Sequence, residues 1–230
     1  ERFGAAKFLA IRFGARRVVA VTQQLYAALA ERSYFDKKKL MVIPNGIDLS
    51  FFPEKQSVSI ESKVHIGCLG NVRSAKNYPL AINALNELVT SYNLDAYLHI
   101  AGDDKNQLAN DCKALVEKLN LTERVIWHGF INSAADYLAS LDVYLLSSTS
   151  EGHPLALTQA MSVGLPIVVT DCGVDTVVRD GHSALIAINN DATDVAKKIN
   201  AVISNDELRK SIAQNASNDA RKYWGLDATF

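Results

Sequence analysis

The sequence predicts an α/β protein built on a Rossmann-like, doubly wound parallel sheet, and three observations carry that expectation. Short β-branched runs recur from one end of the chain to the other, stretches with apolar residues at helical spacing stand between most of them, and the runs are nearly continuous in apolar residues. Strands that alternate with helices require right-handed crossovers, hence a parallel sheet covered on both faces; burial on both faces makes a strand apolar throughout.

Taken in order, Phe3–Phe13 reads as an amphipathic helix ending at Gly14. Lys7 and Arg12 interrupt it and no cleavage-like segment follows, so it does not read as a signal peptide. Arg17–Val21 and Leu40–Ile43 are strand-like, with a helical stretch between them. Residues 1–55 are too little for a core of their own and are expected to close a preceding, acceptor-side domain and run into an interdomain segment. Gln56–Lys63 (QSVSIESK) is polar and without period, which marks a linker over 56–63. Residues 64–230 then make one complete Rossmann-like domain. Its strands are expected at Val64–Leu69, Tyr97–Ala101, Arg124–Trp127, Val143–Leu146, Ile167–Thr170 and Ala184–Ile188. Helical periodicity joins Leu80, Ala84, Leu85 and Leu88, then Leu108, Cys112, Leu115, Val116 and Leu119, and later Val195, Ile199 and Val202.

The composition bounds the function. Of 230 residues 48% are hydrophobic and 21% charged, enough to bury a full core, and the formal net charge of −1 gives no argument for nucleic acid as a partner. Cys68, Cys112 and Cys172 are scattered, odd in number and without metal-ligand spacing, which points to a reduced, cytoplasmic setting. No apolar stretch approaches the roughly 20 residues of a membrane span. Lys37–Lys39 reads as a solvated turn, with an anionic membrane surface as the sharper alternative. Arg2, Lys7, Arg12, Arg16 and Arg17 raise the same alternative of peripheral membrane contact beside the ordinary reading of a solvated helix face.

Ligands of open parallel sheets bind at the carboxyl ends of the strands. Two loops there carry chemistry. Val64–Leu69 runs into Gly70-Asn71-Val72-Arg73-Ser74-Ala75-Lys76-Asn77 and then a helix, so two cations stand beside a helix N-terminus, a combination suited to diphosphate. Val143–Leu146 runs into Ser147–Pro154 and a helix from about Leu155 to Val163, with Pro154 suited to the first helical position. Glu151 just before that helix could cap it, or accept hydrogen bonds from sugar hydroxyls.

Ser148–Thr170 (STSEGHPLALTQAMSVGLPIVVT) resembles the signature of the family-four retaining glycosyltransferases, which have two Rossmann-like domains in the GT-B arrangement. Val42–Asp48 (VIPNGID), Gly70–Asn77 and Val125–Phe130 (VIWHGF) resemble three further family segments in the family's order, so the likeness extends over about residues 17–225. The resemblance implies transfer of a sugar, with retention, from a nucleotide-diphosphate donor to a carbohydrate or lipid-linked glycan, with no cofactor required. It also implies that this chain is the donor-binding half, that it lacks most of the acceptor-side Rossmann domain, and that alone it binds donor but transfers little. By the same resemblance Glu151 is similar to the first glutamate of the Glu–seven residues–Glu motif that holds the donor sugar, and Lys76 to the lysine that neutralises the leaving diphosphate. Gly70 and the amides of Gly152, His153 and Leu155 are then expected near phosphate and sugar, and Gly129 and Phe130 near the base.

Three positions depart from the pattern. Gln159 stands where the second glutamate would hold the ribose, Asn71 stands where an arginine is usual with Arg73 two residues on, and a single Gly173 replaces a glycine pair ahead of Val174 and Asp175. These departures keep open a non-catalytic nucleotide-sugar-binding or scaffolding module as the alternative. Among the remaining residues, Asp103-Asp104 is read as a helix cap in preference to a metal pair, and His153 either contacts phosphate or fills its turn. His128 is read as a strand-end surface histidine, Cys172 as a small apolar residue, and Trp127 and Trp224 as packing residues.

Overall fold

A computed structural model describes residues 13–32, 36–55, 60 and 62–229. Phe3–Arg12 of the expected helix and most of the 56–63 linker lie outside the described residues, while Phe13, its last residue, is helical. Near the start, β1 (Val18–Ala20), α1 (Gln23–Ala30) and β2 (Leu40–Val42) form a βαβ unit whose two strands pair in parallel, Val18 opposite Leu40. Thr22 caps α1 by accepting from the Leu25 amide at 3.0 Å. Lys37–Lys39 is a 3-10 turn, capped by the Asp36 carboxylate on the Lys38 amide.

The remaining elements in chain order are β3 (Val64–Leu69), α2 (Tyr78–Thr90), β4 (Ala96–Ala101), α3 (Gln107–Lys118), β5 (Val125–Gly129), α4 (Ala134–Ala139), β6 (Val143–Leu146), α5 (Leu155–Val163), β7 (Ile167–Thr170), β8 (Leu185–Ala187), α6 (Ala192–Ser204), α7 (Asp206–Tyr223) and α8 (Leu226–Thr229). Strands β3 to β8 make one parallel sheet in the order β5-β4-β3-β6-β7-β8. Every predicted strand is present, with ends displaced by two residues at most, and β3, β6 and β7 agree residue for residue.

Helices cover both faces, as the apolar strands require. On one face Val64, Ile66 and Cys68 of β3 and Leu98 and Ile100 of β4 pack with Leu85 and Leu88 of α2, Cys112 and Val116 of α3, and Ile199 of α6. On the other, Tyr144 and Leu146 of β6 and Ile167 and Val169 of β7 pack with Leu138 of α4, Leu157 and Met161 of α5, and Ala216 and Ala220 of α7. Burying side chains of this size stabilises the fold by about 1.5–3 kcal/mol each.

The strand order reverses direction between β3 and β6, which puts the loops after these two strands side by side above the sheet. The turns after β3 and β4 also nest. A Cβ on Gly102, whose φ is +140°, would lie 2.2 Å from the Gly70 carbonyl oxygen, so only glycine fits there. The early βαβ unit is joined to this body by short bonds. Ile47 N donates to the Trp224 carbonyl at 2.8 Å, and Leu226 N donates back to the Ile47 carbonyl at 3.0 Å. Lys55 N donates to the Val163 carbonyl at 2.8 Å, and Asn45 Nδ2 to the His153 carbonyl at 3.0 Å.

Candidate functional site

The two loops at the switch point are laced together by their backbones. Thr149 N donates to the Ala75 carbonyl, and Ser147 Oγ to the Lys76 carbonyl, each at 2.8 Å. Ser74–Lys76 is a 3-10 turn, and Asn77, at φ 48° and ψ 49°, reverses the chain into α2. The Lys76 side chain folds back over Gly70, where an added Cβ would stand 3.0 Å from its Cε. Its ammonium meets Glu151 Oε1 at 2.7 Å, and Ser148 Oγ donates to the same oxygen at 2.7 Å. The side chains of Lys76 and Glu151 are 21% and 16% exposed, so the pair is shielded yet open on one side.

Glu151 is fixed from behind, because its amide donates to the Cys172 carbonyl at 2.7 Å. Pro154 takes the N-cap position of α5, at φ −74° and ψ 112°, so the first helical residue is Leu155 and the expectation of proline at that first position is corrected. The cause is local: the Pro154 carbonyl already accepts from the amides of Leu157 and Thr158, which makes proline the last residue before the helix turns. The amides of the first turn, at Leu155 and Ala156, then face outward from the helix start.

His153 is buried at 7% exposure, and its ring packs edge-on against Trp224 with centroids 4.5 Å apart. Among the described residues neither ring nitrogen has a hydrogen-bond partner, and burial lowers the pKa of the imidazole, which favours the neutral form. Of the two readings of His153, the geometry favours filling the turn.

A cavity of about 500 Å³ opens beside Glu151, lined by Thr149, Ser150, Glu151 and Gly152 from one loop and by Asp171, Cys172, Gly173 and Asp175 from the loop after β7. Thr22 and Gln24 of the early βαβ unit close its remaining side. The sequence reading missed Thr22, Gln24, Asp171 and Asp175 as lining residues. Asp171 directly follows a strand and was within reach of the carboxyl-end rule, whereas nothing local marks Thr22 or Gln24. Cys172 is buried, and burial pushes its thiol up to about 11, in keeping with a small apolar role.

The other expected residues stand around this centre. Asn71 Oδ1 accepts from the Asp103 amide at 2.9 Å, so its side chain ties the turn after β3 to the turn after β4. Arg73 is exposed and extended at the start of the 3-10 turn. Gly129 accepts from the Gly102 amide at 2.8 Å, and Phe130 beyond it is 82% exposed. Gln159 is half-buried in the middle of α5, outside the cavity lining.

The cap expected at Asp103-Asp104 is corrected. Helix α3 begins at Gln107, out of their reach, and Asn106 caps it on the Ala109 amide at 3.0 Å. Asp103 instead accepts from Lys105 N, and Asp104 pairs with Lys113 at 2.8 Å. Among the described residues no group of three His, Cys, Asp or Glu side chains could hold a metal ion. Trp127 is partly buried against the core, as expected. His128 is exposed, on β5, and stacks beside His99 with an N···N contact of 3.0 Å.

Comparison with known proteins places this geometry. Residues 52–219 match the family model described as glycosyl transferases group 1. An Escherichia coli protein, UDP-Gal:alpha-D-GlcNAc-diphosphoundecaprenol alpha-1,3-galactosyltransferase, is 31% identical over 202 residues, covering 80% of this chain and 50% of that protein. The Bacillus anthracis N-acetyl-alpha-D-glucosaminyl L-malate synthase is 27% identical over 195 residues, covering 84% of this chain and 47% of that protein. The chain thus spans about half the length of these relatives. In fold, it superposes on the structure of Anabaena Alr3699/HepE in complex with UDP and glucose with a TM-score of 0.87, at 21% identity over 99% of this chain and 65% of that one. The solved C-terminal domain of a glycosyl transferase group 1 family protein (LpcC) from Francisella tularensis matches with a TM-score of 0.69 at 22% identity, covering 79% of this chain and all of that one. The six-stranded parallel sheet, the helix-flanked switch point and the match over 52–219 lead to one assignment: the chain belongs to the glycosyl transferases group 1 family.

Proposed function

We propose that this chain is the donor-binding half of a retaining glycosyltransferase that moves a sugar from a nucleotide diphosphate to a carbohydrate or lipid-linked glycan. The observation that carries the reading is the contact of Lys76 with Glu151, a residue lining the cavity beside the switch point. A cation and a carboxylate held 2.7 Å apart by two interlaced loops suit the two halves of one donor: leaving diphosphate against Lys76, sugar hydroxyls against Glu151. Arg73 and the amides at the start of α5 add positive potential on the phosphate side. The exposed ring of Phe130, with Gly129 before it, offers an apolar surface for the base. Asn71 serves the turn it braces, and Gln159 on α5 stands for the ribose contact.

The name of the Escherichia coli relative supports the substrate class, since it describes a transferase acting on a diphosphoundecaprenol-linked sugar. An acceptor of that kind would bring the whole protein to the inner face of a membrane as a peripheral, cytoplasmic enzyme. Among the described residues no helix is long and apolar enough to cross a membrane. Donor departure assisted by Lys76 and helix amides needs no metal or other cofactor in this reading. Completing the acceptor side falls to a preceding Rossmann domain, so the isolated chain binds donor and transfers little.

Calorimetric titration with UDP-, GDP- and ADP-sugars tests the reading. Binding of one donor, weakened by Glu151→Ala and by Lys76→Ala, supports it; a folded chain that binds none of them, in the whole protein as well, overturns it. Anomeric analysis of the product formed by the whole protein tests retention.

A further inference from the structure

Charge is distributed unevenly around the cavity. Next to the lining residue Glu151 stands Lys76, paired with it at 2.7 Å, and on the β7 side stand the carboxylates of Asp171 and Asp175, both exposed residues lining the cavity wall. Among the described residues neither aspartate has an ion-pair partner. The cation of that side, Arg179, lines a neighbouring cavity of about 290 Å³ together with Asp175 and is held by Asp219 at 3.2 Å. Lys76 is itself engaged by Glu151. Glu151 is a third lining carboxylate but is neutralised by Lys76, and the remaining polar lining side chains, Thr22, Gln24, Thr149 and Ser150, are neutral hydrogen-bonding groups.

From this polarity we infer that the site takes a neutral or amino sugar and rejects sugars that carry a carboxylate; the inference rests on the donor-site reading above. The diphosphate is drawn to the cationic side, which turns the sugar toward Asp171 and Asp175. Hydroxyl and amino groups donate hydrogen bonds to those carboxylates. A uronate presents a third negative charge to a wall that already holds two, in a partly enclosed space where repulsion is screened less than in open solvent. Two such contacts weaken binding of the acidic sugar by about tenfold or more relative to its neutral counterpart.

The test is titration of the chain with UDP and GDP, then with UDP-glucose against UDP-glucuronate and GDP-mannose against GDP-mannuronate. The expected result is binding of one free nucleotide, tenfold or greater preference for its hexose over its hexuronate, and a preference within about threefold in the D171N/D175N double variant. Equal binding of hexose and hexuronate by the unaltered chain overturns the inference while leaving the donor site standing. A preference that survives in a folded double variant overturns the assignment to these two carboxylates. Failure of these two nucleotides and of ADP to bind, to the whole protein as well as to the chain, removes the donor-site reading, and this inference with it.

Discussion

The ammonium of Lys76 and the carboxylate of Glu151 stand 2.7 Å apart although 75 residues separate them in the chain. They meet because the loops after β3 and β6 emerge side by side where the sheet reverses its strand order. The two residues are expected to fail differently. Lys76→Ala should weaken free nucleotide and nucleotide sugar alike, by tenfold or more. Glu151→Ala should leave free nucleotide within about threefold and weaken the nucleotide sugar by tenfold or more. Parallel titrations with nucleotide and nucleotide sugar check this. Equal losses in both variants would deny the division of labour between phosphate and sugar.

Asn189 holds two walls of the cavity together. Its Nδ2 donates to the Thr149 carbonyl at 3.0 Å and to the Asp171 carbonyl at 3.1 Å. Asn189→Leu keeps the volume and removes both donors, so donor affinity is expected to fall by about five- to 150-fold, each lost hydrogen bond being worth roughly 0.5–1.5 kcal/mol. Titration shows the loss, and the thermal midpoint measured alongside separates a loosened site from a loosened fold.

Three imidazoles cross the sheet in series. His65 Nδ1 lies 2.9 Å from His99 Nε2, and His99 Nδ1 lies 3.0 Å from His128 Nε2. Each contact uses one proton and one lone pair, so a second proton on His99 removes the lone pair that one of its two contacts needs. Burial first, and the two flanking rings second, lower His99 to about 4. The unfolded chain takes up that proton near pH 6.5, so stability is complete above this value and is lost as pH falls toward 4. A decrease of about 2 kcal/mol is expected between pH 7.5 and 4.5 from this site. Urea unfolding at the two pH values measures it, and His99→Gln should flatten the difference.

Gly102 tolerates no side chain. Gly102→Ala would drive a Cβ to 2.2 Å from the Gly70 oxygen, in a backbone conformation at φ +140° that L-residues avoid. A loss of about 2–4 kcal/mol is expected, together with weakened nucleotide binding, because the displaced residue is the one over which Lys76 folds. Thermal unfolding and titration on the same sample check both.

Cys68, Cys112 and Cys172 are buried, and burial pushes their thiols up to about 12, 11 and 11. At pH 8 the folded chain should leave all three unmodified by a thiol-specific reagent over the time in which the urea-unfolded chain reacts completely. Rapid labelling of Cys172 in the native state would show that the loop after β7 opens.

The fold and the paired loops were legible in the sequence because both have local signatures. Apolar β-branched runs such as Val143–Leu146 can bury both faces only in a covered sheet, and Glu151 and Lys76 each stand in the loop that joins a strand to the following helix. The capping pattern was less legible. Asp103 and Asn106 are both competent caps three residues apart, and only the packing of α3 through Ala109 and Cys112 decides where the helix starts. Asn71, read only as standing where an arginine is usual, also braces the Asp103 amide, a contact set by the pairing of β3 with β4. Thr22 and Gln24 could not be found at all, since they reach the cavity only through tertiary placement of the early βαβ unit.

Ile47 clasps the returning chain from both sides, donating to the Trp224 carbonyl and accepting from Leu226 N. The stretch leaving the two-stranded sheet and the stretch returning after α7 are thereby pinned to each other at one point. With the bonds from Asn45 to the His153 carbonyl and from Lys55 to the Val163 carbonyl, this clasp seats the early unit, and with it Thr22 and Gln24, against the cavity that Glu151 lines.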